Sequence, residues 1–546
     1  MTLRLSFGHR DQSGLRYYAP EMPVGRLLSR MFQPPERLLK ASVVSGAFMF
    51  EWWVTRKGVA LSHDSIDYVS AGMNLLKGRG LRTFAGNQLT LFPPGLSLIY
   101  AIGQLFGLSV QLTARILNVA SIAGMTSIGM SIVKRSAGGI VQEILVGGVI
   151  AVGACNAFVS TYVWTEPSFN CLVLLSFLMY FRYSAQPKRM STLVGLAAVT
   201  SACFMIRYAG LVLVPVFVIS DALASRRKGV NGNWRSSLRL CCTMLIVPTA
   251  WTLGNLSTGH SPFGARPPSI QSLSFTVDSY FHQLISLYSG DQFAFGVRWW
   301  LVVGIVVTCA CILLFGLWAD SRESRWLVRT SPNRAAVMPL GLFVIMYSAY
   351  LVTSEMVTSI DPIDIRLMSP LFAPGVLFGV VALSSIRFSL NRKPSSVQSA
   401  LVAVALVGLL GVQLNASLTY IPIGPREQIQ SIRSATIDRV GARVPANVDF
   451  YTNVGYELWL LRPRNGILES PLKTWYRSDV RYPVTKQFIE SVSCNSRLLV
   501  WSDSGPNWFY SPRELSRFVR VKLLRSYADG AVYRLSHLGG LSHCRL

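Results

Sequence analysis

Charged side chains are scarce in this sequence, at 14% of 546 residues. A soluble globular domain carries about a quarter. With 51% hydrophobic residues and a mean hydropathy of +0.39, the deficit points to an integral membrane protein. Acids are scarcer still: 26 Asp and Glu stand against 52 Lys and Arg, a formal net charge of +26. Such an excess suits nucleic acid when it lies on one face. Here the bases fall in short loops between apolar runs, as the positive-inside rule expects. That distribution excludes nucleic acid as the partner and names the lipid bilayer. No Cys-x-x-Cys pair and no Cys/His metal spacing occurs. Of the cysteines, Cys155, Cys171, Cys203, Cys241, Cys242, Cys309 and Cys311 lie in apolar segments, where the thiol behaves as a small hydrophobe. No repeat of fixed period and no low-complexity tract is visible. Residues 1–37 are polar and basic, without the short apolar region of a cleavable signal.

The apolar runs are plentiful. They predict spans at 38–54, 110–133, 139–163, 166–181, 191–206, 209–223, 238–256, 299–318, 336–357, 369–386 and 400–418. The pair 191–206 and 209–223, separated by Arg207-Tyr208, reads either as two tight spans or as a pair that does not fully cross. The run 95–107 is too short, because a span needs about twenty residues. Reading it as re-entrant or interfacial places every internal basic cluster on the side of the basic N-terminal segment. Reading it as a span would put Lys134-Arg135 and all later clusters outside. The expected architecture is therefore an α-helical polytopic membrane protein of about eleven spans, N-terminus inside and C-terminus outside. Acids within spans are few. Glu51, near the outer end of the first span, either snorkels or faces the protein interior; Glu143 and Glu355 lie mid-span.

From 424 to 546 the composition turns mixed and polar. Short β-like runs at 448–451, 497–501, 518–524 and 531–535 alternate with helix-like stretches at 426–440 and 482–492. About 120 residues suffice for a core, which predicts a small α/β domain after a membrane domain over 38–420. Its outward placement predicts a disulfide between Cys494 and Cys544, since that compartment is oxidising. Two free buried thiols are the alternative.

The longest polar interruption of the N-terminal half, 63–107, lies in the first outer loop at 55–109. It contains Asp64 and Asp67 just past the first span, and acids beside hydrocarbon are usually paired or functional. Tyr68, Ala71, Leu75 and Leu76 recur at helical spacing, followed by Lys77, Arg79 and Arg82, as on a helix lying along an interface. Pro93-Pro94-Gly95 then breaks the chain.

The order of these features carries a resemblance: one span, Asp-x-x-x-Tyr from Asp64 to Tyr68, a helix ending LLKGRGL, PPG, an apolar run ending LFG, and ARILN from Ala114 to Asn118. It resembles the start of the GT-C glycosyltransferases, multi-spanning enzymes that use polyprenyl-phosphate sugars. The nearest likeness is to bacterial members related to the aminoarabinose and protein O-mannosyl transferases. The resemblance implies transfer of a sugar, with inversion, from a polyprenyl-phosphate donor to an extracytoplasmic cell-envelope glycan, lipid or protein at a bacterial inner membrane. It places the catalytic aspartate at Asp64, acting as general base, with Asp67 able to exchange roles with it. A carboxylate serves so when desolvation raises its pKa toward the working pH. One of the two acids alternatively caps the helix near Tyr68, and Asp67 is the better placed for that.

Glu166, in Thr165-Glu166-Pro167, is the second acid the resemblance marks. Its alternatives are orienting the acceptor, holding a divalent ion (Mg or Mn) with Asp64, pairing with an arginine, or meeting the dipole of its own helix. Arg207 and Arg366 sit at outer span ends against the inward bias of the other bases, and a guanidinium matches phosphate oxygens bidentately. With Asp67 and Tyr68 they form the expected substrate-binding set. The plain alternatives are snorkelling for Arg207 and a salt bridge with Asp361 or Asp364 for Arg366. Arg298, beside Trp299-Trp300, reads as an interface anchor. His63 lacks a second ligand at metal spacing. One departure is at Phe92, where aminoarabinose-transferase relatives carry a basic residue before the double proline, so neither donor-phosphate contact nor sugar is copied from that branch. In the tail, Tyr451-Thr452-Asn453-Val454-Gly455-Tyr456 resembles the outer domains of related proteins, although turn chemistry explains Asn453 and Gly455 equally. A lipid-linked glycan flippase would show charged spans and pseudo-symmetric halves. It and a non-catalytic scaffold on the same fold are the competing readings.

Overall fold

A computed structural model of the chain describes residues 36–136, 139–187, 189–227, 234–259, 261–290, 332–385, 396–420, 424–445, 448–463, 466–475 and 478–538. The basic segment up to residue 35, Arg298 with the expected span at 299–318, the loop to residue 331, the basic loop at 386–395 and Cys544 lie outside the described residues.

In chain order the membrane layer comprises α1 (Glu36–Val54), α2 (His63–Leu76), α3 (Gly95–Leu105), α4 (Val110–Arg135), α5 (Ile140–Ala151), α6 (Ala154–Ser160), α7 (Glu166–Ala185), α8 (Met190–Ile206), α9 (Leu213–Arg227), α10 (Trp234–Gly259), α11 (Leu273–Ser289), α12 (Pro332–Val357), α13 (Ile365–Ser385) and α14 (Ser396–Thr419). Among the described residues five helices are long and apolar enough to cross a membrane, α4, α10, α12, α13 and α14, and six if the bent pair α5 and α6 counts as one. The chain is an integral membrane protein. With 11 residues, α3 is too short to cross. The loop expected at 257–298 contains α11, whose mixed face of Ser, Tyr and Leu carries no long apolar run.

The third expected span is bent by 41° between α5 and α6. A break in hydrocarbon frees backbone groups that must find partners, and α14 supplies them. Ala154 N donates to Gln413 Oε1 at 2.8 Å, and Ser417 Oγ donates to Val152 O at 2.7 Å. The other end of the same carboxamide donates to Leu287 O and Tyr288 O, tying α11 to the break. Two of the acids within helices also have partners. Glu51 faces the interior, fully buried, and accepts from Ser160 Oγ at 3.0 Å. Glu143 pairs with Lys40, which also holds Glu36 at 2.6 Å.

Two helix starts fix the geometry of the outer end. Ser62 caps α2 by accepting from Ser65 N, while Ser65 Oγ accepts from Ser62 N at 3.0 Å. The helix thus begins at His63, five residues before Tyr68, and the expectation that Asp67 caps it is corrected. Asp64 lies in the first turn and Asp67 one turn further in. At α13, Asp364 accepts from Leu367 N at 2.9 Å, which sets Arg366 in the first turn. Close packing holds α2 against α3: a Cβ on Gly72 would lie 2.6 Å from Ser97 O.

The bundle core is aromatic at its centre. Phe177 of α7 meets Phe217 of α9 and Phe343 of α12 edge-on, at 5.4 and 5.6 Å.

The tail forms α15 (Pro425–Ile432), α16 (Ala435–Arg443), β1 (Phe450–Thr452), α17 (Gly455–Leu461), β2 (Ile467–Glu469), α18 (Lys486–Cys494), β3 (Arg497–Ser502), α19 (Pro512–Leu515), β4 (Arg520–Tyr527) and β5 (Gly530–Ser536). The sheet order is β2-β1-β3-β5-β4, parallel from β2 to β3 and antiparallel beyond. Four strands overlap the expected runs; β2 is additional, too short to show alternation. Strand period separates two faces. Tyr451, Leu499 and Leu535 pack with Phe488 and Val492 of α18. Phe450 and Val500 point the other way and share a core with Val59, Tyr68, Phe84 and Leu96. The tail therefore buries one face by itself and the other against the outer loop. Cys494 is disulfide-bonded.

Candidate functional site

Four charged side chains meet where α2, α7 and α13 begin and α8 ends. Asp64 Oδ2 accepts from Arg366 Nη2 at 2.6 Å. Arg366 Nε donates to Glu166 Oε1 at 2.7 Å, and Arg207 Nη1 donates to the same oxygen. The result is an alternating row, Asp64–Arg366–Glu166–Arg207, in which each buried charge has an opposite neighbour, as burial demands. Arg207 occupies this place because α8 ends at Ile206 and a 3-10 turn over Tyr208–Val212 precedes α9. Pro167 at the first turn of α7 suits a helix start, where its missing amide proton costs nothing.

Exposure separates the roles. Glu166 is completely buried, and its second oxygen accepts from Thr165 Oγ1 at 3.2 Å. It has no free oxygen for a substrate in this arrangement, so among its alternatives the structure places it with the arginines. The side chain of Asp64 is 26% exposed, against 10% for Arg366 and 18% for Arg207. Asp64 is the acid of the row that a substrate can reach.

Arg366 is further fixed by Trp164, whose ring lies 4.4 Å beneath the guanidinium and whose Nε1 donates to Ser62 Oγ at 2.7 Å. One tryptophan thus links the cap of α2 to the arginine that holds Asp64. Of the alternative partners for Arg366, Asp361 lies at 4.0 Å, and Asp364 serves as the cap of α13. Trp164 went unmarked in the sequence because a tryptophan at a span end reads as an interface residue.

Asp67 looks elsewhere. It is buried, and Tyr456 OH donates to its Oδ2 at 3.5 Å. Burial pushes its carboxyl well above the ordinary range, and the charges of Glu469 and Asp64 add to that. Glu469, at the end of β2, is itself pushed up to about 7 by burial. Asp67 therefore faces the tail domain. Tyr68 is buried against Phe92, edge-on at 4.9 Å, and burial followed by the Asp64 charge pushes its phenol well above the usual range. His63 stacks on Tyr456 at 4.3 Å, with Nε2 3.9 Å from Glu457 Oε1. Tyr456 closes the stretch likened to the outer domains of related proteins, and nothing in that likeness or in the turn alternative for Asn453 and Gly455 pointed to Asp67.

A shared divalent ion between Asp64 and Glu166 does not fit these residues, because the Arg366 guanidinium already bridges both carboxylates. Among the described residues no group of three or more His, Cys, Asp or Glu is placed to hold a metal ion.

No protein-family model matches the sequence, and no curated protein matches it. Solved structures do. ArnT from Cupriavidus metallidurans bound to undecaprenyl phosphate aligns with a TM-score of 0.54 at 13% identity, over 92% of this chain and 99% of that one. ArnT from the same organism in the apo state aligns with a TM-score of 0.56 at 13% identity, over 90% of this chain and 97% of that one. The likeness to ArnT is one of fold, and it extends over nearly the whole chain.

Proposed function

We propose that the chain is a membrane glycosyltransferase that moves a sugar from a polyprenyl-phosphate donor to a hydroxyl of an extracytoplasmic glycan, lipid or protein. The observation that carries this is the row Asp64–Arg366–Glu166–Arg207, with its accessible acid at one end and two guanidiniums beside it. The fold agrees, since an ArnT structure is bound to undecaprenyl phosphate.

In this reading Asp64 is the general base. The acceptor oxygen forms the new bond to the anomeric carbon from the face opposite the phosphate. Its proton passes to the Asp64 carboxylate, and the bond from the anomeric carbon to the phosphate oxygen breaks, which inverts the centre. Arg366 and Arg207 neutralise the departing polyprenyl phosphate. As Arg366 turns toward that phosphate it frees the Asp64 oxygen it now holds. Glu166 keeps both arginines aimed, and Tyr68 contributes a hydroxyl at the donor side.

The same reading sets about eleven spans in a bacterial inner membrane, basic N-terminal segment inside, on the loop-charge criterion. The domain over 424–546 then lies in the periplasm, with Cys494 and Cys544 as its disulfide.

The test uses purified protein in lipid with a panel of radiolabelled polyprenyl-phosphate sugars, scoring transfer and slow donor hydrolysis. Asp64→Asn, shown to insert and fold as wild type does, is expected to lose about a hundredfold or more, the scale for a general base. Turnover that survives in this variant would move the base elsewhere. Absence of turnover from wild type across the panel would count against the enzyme.

A further inference from the structure

The segment that leads into α2 is held along both edges. On one edge Ala60 N donates to Thr161 O at 2.8 Å and Val163 N donates to Ala60 O at 2.9 Å, a parallel bridge with the strand that runs on to Trp164 and Glu166. On the other edge Leu61 N donates to Gln428 Oε1 at 2.9 Å, and Gln428 Nε2 donates to Leu61 O. Consecutive residues of an extended strand turn their backbone groups to opposite sides. The carboxamide of Gln428 therefore does for Leu61 what a neighbouring strand would do, from 367 positions away in sequence.

We propose that Gln428 is a positioning residue for Asp64. It touches neither the acid nor its arginine. It acts through the backbone, fixing the edge from which Ser62 caps α2 and Asp64 projects three residues later. Glutamine is the right group because Leu61 presents one donor and one acceptor on the same edge, and a carboxamide answers both. Leu61 and its neighbours Val59 and Ala60 are buried, so the strand side of both bonds is shielded from water. The helix bearing Gln428 is held at its start, with Pro425 against Gly58 and Glu427 Oε2 accepting from Gly424 N at 3.1 Å, while the Lys57–Glu427 pair lies at the surface. This inference rests on Asp64 being the base, and it gives the tail domain a part in the reaction beyond covering the loop.

The test compares full-length Gln428→Met, Gln428→Glu and Lys57→Met in lipid nanodiscs, with a donor that wild type turns over. Hydrogen exchange of the peptide spanning 59–66 reports the clamp, and kcat and donor KM report its consequence. Gln428→Met is expected to speed exchange about tenfold or more and to lower kcat about ten- to a hundredfold, with KM within about twofold. Gln428→Glu keeps the acceptor for Leu61 N and loses the donor, and is expected to fall between. Lys57→Met removes the surface ion pair alone and is expected to change neither readout. Wild-type kcat in Gln428→Met, or an equal loss in Lys57→Met, would overturn the proposal. Asp64→Asn in the same assay separates the two readings: if it keeps turnover the base is elsewhere, while the exchange arm still decides the clamp.

Discussion

Asp64 and Arg366 stand 302 positions apart in sequence and 2.6 Å apart in space. The first belongs to the helix that opens the outer loop, the second to the first turn of a span near the end of the membrane layer. The arginine also holds Glu166 through Nε, so its two forks point at two different acids.

That division of one guanidinium makes lysine a poor substitute. A lysine ammonium is a single point charge and cannot bond both carboxylates along fixed directions. Arg366→Lys is expected to lower turnover about tenfold or more and to raise donor KM, measured by steady-state transfer in lipid. Wild-type kinetics in this variant would remove Arg366 from the site.

Glu166 is the buried centre of the row, and its loss leaves Arg207 without its acid and Arg366 with Asp64 alone. Breaking a buried pair on one side costs about 3–5 kcal/mol. Glu166→Gln is therefore expected to lower the thermal unfolding midpoint markedly. The double variant Glu166→Leu with Arg207→Leu should recover part of the loss, because no orphan charge remains on that side. Equal midpoints for Glu166→Gln and wild type would contradict the pairing.

The contact between tail and loop carries a pH dependence of definite sign. Glu469 titrates at about 7 when folded, above its ordinary 4.5, so the folded state binds the proton more tightly. Its contribution to stability is fully present below about 4.5 and fades as pH rises through about 7. Asp67 is shifted in the same direction, by burial first. Melting curves between pH 5 and 8 should show wild type losing stability toward the alkaline side. Glu469→Gln should flatten that slope and exceed wild type at pH 8. A slope unchanged by the substitution would assign the effect to other groups.

Gln413 satisfies backbone groups on two elements at once, at the break between α5 and α6 and at the end of α11. Gln413→Leu leaves the part-buried Ala154 amide without its acceptor, at up to about 1–3 kcal/mol. A lowered unfolding midpoint, with the 152–154 peptide exchanging faster, is the expected result. Unchanged exchange there would mean that water or a shifted neighbour supplies the missing acceptor.

What the sequence made legible was local. The breaks at Pro93-Pro94, the basic loop clusters and the acids just past apolar runs are each written within a few neighbouring residues. The start of α2 was misplaced because His63-Asp64-Ser65 looks like loop, although polar residues are at home in a first helical turn and Ser62 with Ser65 forms the cap. Nothing near Arg366 tells which of four nearby acids it holds; only the helices' packing decides between Asp361, Asp364, Glu166 and Asp64. The partnership of Gln428 with Leu61 is equally silent in sequence. A half-exposed glutamine in an amphipathic stretch has no periodicity that marks it.

The core shared by Val59, Tyr68 and Phe84 with Phe450, Trp459 and Val500 bears on how the molecule is made. The apolar face of the outer loop waits for partners synthesised several hundred residues later. Through that interval the helix carrying Asp64 has α3 on one side and nothing on the other. Closing so long a loop is entropically slow to begin, and a nascent chain stopped before residue 424 would present that face to chaperones or to other chains. The surroundings of Asp64 are thus completed only after that later segment has been made.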